Sequence, residues 1–169
     1  MLRSRLLVAI LLLSAFLFSC SGEDGATGPA GPAGKNGNAN VIAFQYPSQT
    51  ATGLFNYYFD ASQGMVDSCL VLGYYVPSNL PTFWYAVPGL GPSSSYMTRF
   101  SLNPGGTANQ WLYQVQLRTP DGTGNYTTST TFTKFKIFLV PPSTITILTS
   151  RGLDLSDYNA VAKYLNLSE

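Results

Sequence analysis

The chain has 169 residues, 14% of them aromatic and only 10% charged, with nine basic and eight acidic side chains and no histidine. Without histidine there is no imidazole base, no use of the commonest metal ligand and no catalytic triad that depends on imidazole. The net charge of +1 is carried by scattered lysines and arginines, which excludes the basic stripe that holds nucleic acid and gives no obvious seat for an anionic polymer.

The chain opens with Arg3 and Arg5, then an apolar run from Leu6 to Phe18 that ends at Leu17-Phe18-Ser19-Cys20. A membrane-spanning helix needs about 20 apolar residues, so the run is too short to remain as a span. A basic start, a short apolar core and a small residue at the cleavage point instead predict a signal peptide over residues 1–19. Cys20, directly after Ser19, resembles the lipobox of bacterial lipoproteins, in which this cysteine becomes the lipidated first residue. Ordinary secretory cleavage is the alternative. Lipid on Cys20 would attach the chain to a membrane and leave Cys69, the only other cysteine, without a disulfide partner. Cys69 lies in the apolar stretch from Met65 to Val76, so a buried, unreactive thiol is expected. Removing Arg3 and Arg5 with the signal leaves seven basic residues against eight acidic, a net charge of −1.

After Cys20, glycine recurs at every third position: Gly22, Gly25, Gly28, Gly31, Gly34 and Gly37. Only glycine fits at the axis of a collagen triple helix, so strict period three is its signal. Residues 20–40 therefore read as a stalk. One form is a short triple helix of three copies, which would need the heads to trimerise; the other is a solvated single-chain tether. Either is a spacer of roughly 55 Å when extended at ~3.1 Å per residue. Glu23 and Asp24 resemble a sorting signal that sends some lipoproteins to the outer face of the outer membrane.

Residues 41–169 are long enough for one domain with its own core. Aromatic and β-branched residues between frequent Gly, Pro, Ser and Asn clusters predict an antiparallel β-sandwich or barrel-like head with one C-terminal helix. Strands are predicted at 41–46, 54–60, 65–76, 82–87, 95–102, 110–118, 125–132, 135–140 and 144–148. Turns such as Pro120-Asp121-Gly122 separate them. In 110–118, Trp111, Tyr113, Val115 and Leu117 should face the core. In the strand after Lys134, Phe135, Ile137 and Leu139 should face inward, with Lys134 and Lys136 outward. Cys69 to Leu72 is apolar on both faces, as expected of a central strand. The helix is predicted to start at Asp154 as its N-cap, with Asp157 in its first turn and Leu155, Tyr158, Val161, Ala162 and Leu165 near helical spacing.

The lipobox, the glycine triplets, Asn40-Val41-Ile42, Phe135-Lys136-Ile137-Phe138-Leu139-Val140-Pro141 and Leu155-Ser156-Asp157-Tyr158-Asn159-Ala160-Val161 together resemble collagen-like lipoproteins of Gram-negative bacteria with a β-rich head. That resemblance implies outer-membrane attachment and display at the cell surface, and it brings no catalytic residues.

The head's acids before the predicted helix are Asp60, Asp67 and Asp121, none at a diagnostic spacing, and no zinc, calcium or phosphate motif is present. No cofactor and no catalysis are expected. A structural or adhesive role remains, with a homotrimer formed through stalk and head as one arrangement. The alternative is a carbohydrate-binding module of a cell-surface glycan system. Adjacent aromatics at Tyr57-Tyr58, Tyr74-Tyr75 and Phe83-Trp84-Tyr85 must point to opposite strand faces. Trp84 and Tyr85 are the residues this reading selects for ligand contact, whereas Trp111 belongs to the core pattern.

Overall fold

The computed structural model describes residues 40–167. The predicted signal peptide, Cys20 and all six stalk glycines, Gly22, Gly25, Gly28, Gly31, Gly34 and Gly37, lie outside the described residues.

The head is mainly β, with two antiparallel sheets and three α-helices. The strands are β1 (Ile42–Tyr46), β2 (Gln49–Thr52), β3 (Leu54–Asp60), β4 (Leu70–Pro77), β5 (Tyr85–Val87), β6 (Gly89–Leu90), β7 (Met97–Pro104), β8 (Gln110–Arg118) and β9 (Ser129–Val140). The first sheet runs β1-β9-β4-β5, and β2 pairs with the early part of β9 beside β1's pairing; the second runs β3-β8-β7-β6. The helices are α1 (Gln63–Ser68), α2 (Pro142–Ser150) and α3 (Tyr158–Tyr164).

The main core lies between the two sheets. Trp111, Tyr113, Val115 and Leu117 of β8 are all buried there, as their alternation requires. They meet Phe132, Phe135, Ile137 and Leu139 of β9. Aromatic rings bridge the layers: Tyr57 stacks on Phe135 at 3.9 Å between centroids, and Phe55 on Phe132 at 4.2 Å. Such pairs add ~0.5–1.5 kcal/mol each beyond the area they bury.

A second core covers the other face of the first sheet. Tyr74, Phe138 and Val140 pack there against Leu148 of α2 and against Tyr158, Val161 and Leu165 around α3. The adjacent residues Tyr74 and Tyr75 are both fully buried, on opposite sides of β4, because helices cover one side and the second sheet the other.

This third layer explains where the sequence pattern misleads. Lys136 was expected to point to water with Lys134. Lys134 is exposed, but Lys136 is only 5% exposed, because Tyr158 and Trp84 close over it. The predicted C-terminal helix is present as α3, starting later than Asp154, and a second helix, α2, precedes it. Residues 144–148, rich in Thr and Ile, belong to α2 and not to a strand. Pro142 at the first helical position favours that start, and Thr146 and Thr149 donate their hydroxyls to the carbonyls four residues back, Pro142 and Ile145. Helix α3 begins at Tyr158 with Asp157 as its N-cap, accepting from the Ala160 amide at 3.1 Å. Asp154 instead caps a tight turn, accepting from the amide and hydroxyl of Ser156.

The predicted strand 65–76 also divides. Ser62 caps the short helix α1, and the strand begins only at Leu70. Cys69 is a free thiol at the end of α1 and is half-buried, not fully buried as expected. The two strands predicted at 125–132 and 135–140 are one strand, β9, which leaves residues 125–128 in a loop.

Candidate functional site

Strand β9 has two ends with different surroundings. At its C-terminal end Leu139 pairs with Ile42, so the chain preceding residue 40 joins the head there. At its N-terminal end Ser129 and Thr130 pair with Thr52 and Ala51. The start of β3, the end of β4, the start of β7 and the end of β8 meet at that same end. Nine residues separate Thr130 from Leu139, roughly 30 Å at ~3.4 Å per residue.

The far end carries two hollows that share Tyr126 as a wall. The first, of about 370 Å³, is lined by Thr52, Gly53, Leu54, Gln116, Asn125 and Thr127 among others. The second, of about 240 Å³, is lined by Asn79, Tyr96, Ser129, Thr130 and neighbouring small residues. Neither lining contains an Asp, Glu, Lys or Arg. Both are built from amides, hydroxyls, short apolar groups and tyrosine rings.

Local sequence chemistry fixes this surface. Gly53 has φ of +75°, a left-handed conformation that glycine adopts without strain, and its carbonyl accepts from the Leu117 amide at 2.8 Å. A β-carbon on Gly53 would stand 3.1 Å from the Tyr126 carbonyl, so the turn and the Tyr126 backbone fit closely only with glycine there. The Tyr126 amide in turn donates to Leu117 at 3.1 Å.

The preceding loop is held by its own polar groups. Asp121 accepts from the Thr119 hydroxyl, from the Thr123 amide at 3.1 Å and from the Thr123 hydroxyl at 2.8 Å. These bonds, that from Thr119 first, lower the Asp121 carboxyl to a pKa of about 2. The guanidinium of Arg118 donates to the Asn125 side-chain oxygen and to the Thr123 carbonyl. Asp121 is thereby held within its loop, whereas Arg118 keeps a buried Nε without a hydrogen-bond partner among the described residues, and the exposed Arg99 stands directly across the strand pair from Gln116. Asn125 keeps its amide nitrogen for an outside acceptor, and Gln116 makes no side-chain hydrogen bond within the described residues.

Tyr96 completes the wall. It is 4% exposed, its ring lies 5.3 Å from that of Tyr126, and its buried hydroxyl has no hydrogen-bond partner among the described residues. Burial raises its pKa to about 12.

The first hollow opens onto the outer face of the second sheet, to which Leu54 and Gln116 also belong. The next row there holds Asn56, which accepts from the Gln114 amide at 3.0 Å. Beyond it lies Tyr58, 50% exposed, while its neighbour Tyr57 is buried in the core.

The aromatics selected from sequence lie elsewhere. Trp84 is half-buried and stacks on Tyr158 with centroids 4.0 Å apart, in the helix-side core. Tyr85 is half-buried and stacks on Tyr75 at 5.6 Å. A shallow hollow of about 260 Å³ touches both residues together with Pro88, Leu90 and Ser156. Phe83, the third member of that run, is the exposed one. The three acids weighed as catalytic groups are on separate elements: Asp60 ends β3, Asp67 accepts from Gln63 within α1, and Asp121 holds its loop. Among the described residues no three of Cys, Asp or Glu gather where a metal ion could be held.

Sequence reasoning missed Tyr126 because it placed residues 125–132 in a strand. The available signal was the run Asn125-Tyr126-Thr127-Thr128, a single ring among hydrogen-bonding side chains, two residues beyond the Pro120-Asp121-Gly122 turn.

No protein-family model, no curated protein and no solved structure matches the chain.

Proposed function

We propose that the protein is a surface-displayed bacterial lipoprotein of structural or adhesive role. It is anchored in the outer membrane through lipid on Cys20 and carries its β-rich head on the Gly-X-Y stalk. What supports this reading is the pattern of residues 1–40: a basic start, a short apolar run ending at Ser19-Cys20, and glycine at every third position from Gly22 to Gly37. The preceding chain joins at the Ile42 end of β9, and the uncharged hollows lie at the opposite end of the same strand.

The test is made on the full chain expressed in a Gram-negative host. Wild-type protein should incorporate labelled palmitate, sediment with outer membranes and be cut by protease added to intact cells. Cys20→Ser should lose the label and the membrane association. Palmitate labelling that survives Cys20→Ser, or a head that protease reaches only after lysis, would overturn the reading.

A further inference from the structure

We propose that the two hollows flanking Tyr126 form a binding site for an uncharged oligosaccharide. The inference deepens the display reading above, since it names what the displayed head would meet.

The argument begins with charge. A ligand bearing phosphate, sulfate or carboxylate must exchange water for a counter-charge, or lose several kcal/mol on desolvation. The linings themselves offer none: the two nearest cations, Arg118 and Arg99, stand outside them, with Arg118 turned to Asn125 and the Thr123 carbonyl and Arg99 across the strand pair from Gln116. A wholly apolar ligand fails for the converse reason. It would strip water from the Gln116 and Asn125 amides and the Thr127 hydroxyl without replacing their hydrogen bonds.

An uncharged polyol meets both conditions. Each sugar hydroxyl donates and accepts, which matches groups that do the same: the primary amides and the threonine hydroxyls. Its C–H face is apolar enough to lie against a tyrosine ring. Tyr126 stands between the hollows and is reached from both. Two adjoining hollows of about 370 and 240 Å³ that share Tyr126 suit a chain of linked sugar units more than a single small molecule. Peptide recognition by backbone pairing runs along an open strand edge, whereas these linings are side chains at strand ends and in a loop.

The experiment uses the full chain, purified in a detergent without a sugar headgroup and labelled with ¹⁵N. Cellohexaose, xylohexaose, mannohexaose, maltohexaose and chitohexaose are titrated at millimolar concentration, with hexagalacturonate as the anionic comparison. At least one uncharged hexasaccharide should move the side-chain amide resonances of Gln116 and Asn125 saturably. Tyr126→Ala should weaken that binding about tenfold or more, the loss of ~1.4 kcal/mol. Because Tyr126 also packs on Tyr96, Gln116→Ala and Thr127→Val, which lie at the surface, provide the second test and should each weaken binding several-fold with unchanged backbone spectra.

Failure of every uncharged hexasaccharide to move these amides, tighter binding of hexagalacturonate, or shifts centred on Trp84 would overturn the proposal. Surface display is read separately by palmitate labelling and protease access. A displayed head without sugar binding rejects only the site; sugar binding without display rejects only the placement.

Discussion

The ammonium of Lys136 donates a 2.7 Å hydrogen bond to the hydroxyl of Tyr158, and both groups are buried beneath the C-terminal helix. The rings of Trp84 and Tyr158 each lie 5.2 Å from the same nitrogen. No carboxylate pairs with it among the described residues. A buried cation is thus held by the Tyr158 hydroxyl and the Trp84 ring, which ties β9, α3 and the 80s loop together.

The two partners of that bond should respond differently to substitution. Lys136→Met keeps the volume and removes the desolvated charge but leaves the buried Tyr158 hydroxyl without its donor, so the two effects offset and stability should change by less than about 1 kcal/mol. Tyr158→Phe leaves the ammonium without its acceptor and should cost about 1.5–3 kcal/mol. In the double variant that cost should largely vanish. Urea midpoints of the four proteins provide the measurement; equal losses for both single variants would contradict the account.

Gly73 has a steric role. A β-carbon there would lie 2.4 Å from the Tyr113 hydroxyl and 2.9 Å from the ring carbon bearing it. Tyr113 is fully buried, stacked on Phe100 at 4.7 Å and packed against Phe135, so its ring has little room to move. Gly73→Ala should therefore destabilise by about 1–3 kcal/mol through overpacking. Adding Tyr113→Phe, which removes the nearest atom, should recover part of the loss. Thermal melts of the single and double variants decide between this relief and simple addition.

Stability should fall at both extremes of pH and stay flat between. At the alkaline end, burial raises the phenols of Tyr57, Tyr74, Tyr75 and Tyr113 well above 10, and that of Tyr96 to about 12. Above pH 10 the unfolded chain releases these protons before the folded one does. The folded state is then penalised progressively, through about pH 12 for Tyr96 and higher for the rest. At the acid end, Asp121 titrates near 2 when folded and 3.8 when free. Its contribution is present above 3.8 and is lost as pH falls toward 2. Loop order around Asn125, followed by amide exchange, should decline over that lower window, and Asp121→Asn should flatten the change. Urea midpoints that hold steady from pH 9 to about 12 would refute the alkaline half of this prediction.

Much of the fold was written in the order of residues. The alternation Trp111, Tyr113, Val115, Leu117 gave β8 its bounds and its buried face, and Leu54 to Asp60 gave β3. Those strands have one face on the core and one toward water, so a period of two is visible in the sequence. The strand β9 was harder to read, because its last six residues, Phe135 to Val140, are all buried and periodicity cannot say which side each one faces.

What the sequence determined by itself is local: the apolar run ending at Ser19-Cys20, the period-three glycines, the absence of histidine and the half-buried strands. Each depends on neighbours a few residues apart. What only the tertiary structure decided depends on contacts across long separations. Lys136 is buried because Tyr158 and Trp84 arrive over it, and Trp84 becomes a packing residue by the same contact. Tyr126 becomes the wall of a candidate site because Gly53, Tyr96 and the ends of β4 and β9 converge on it. No single segment carries that convergence, since it is produced by the pairing of strands far apart in the chain.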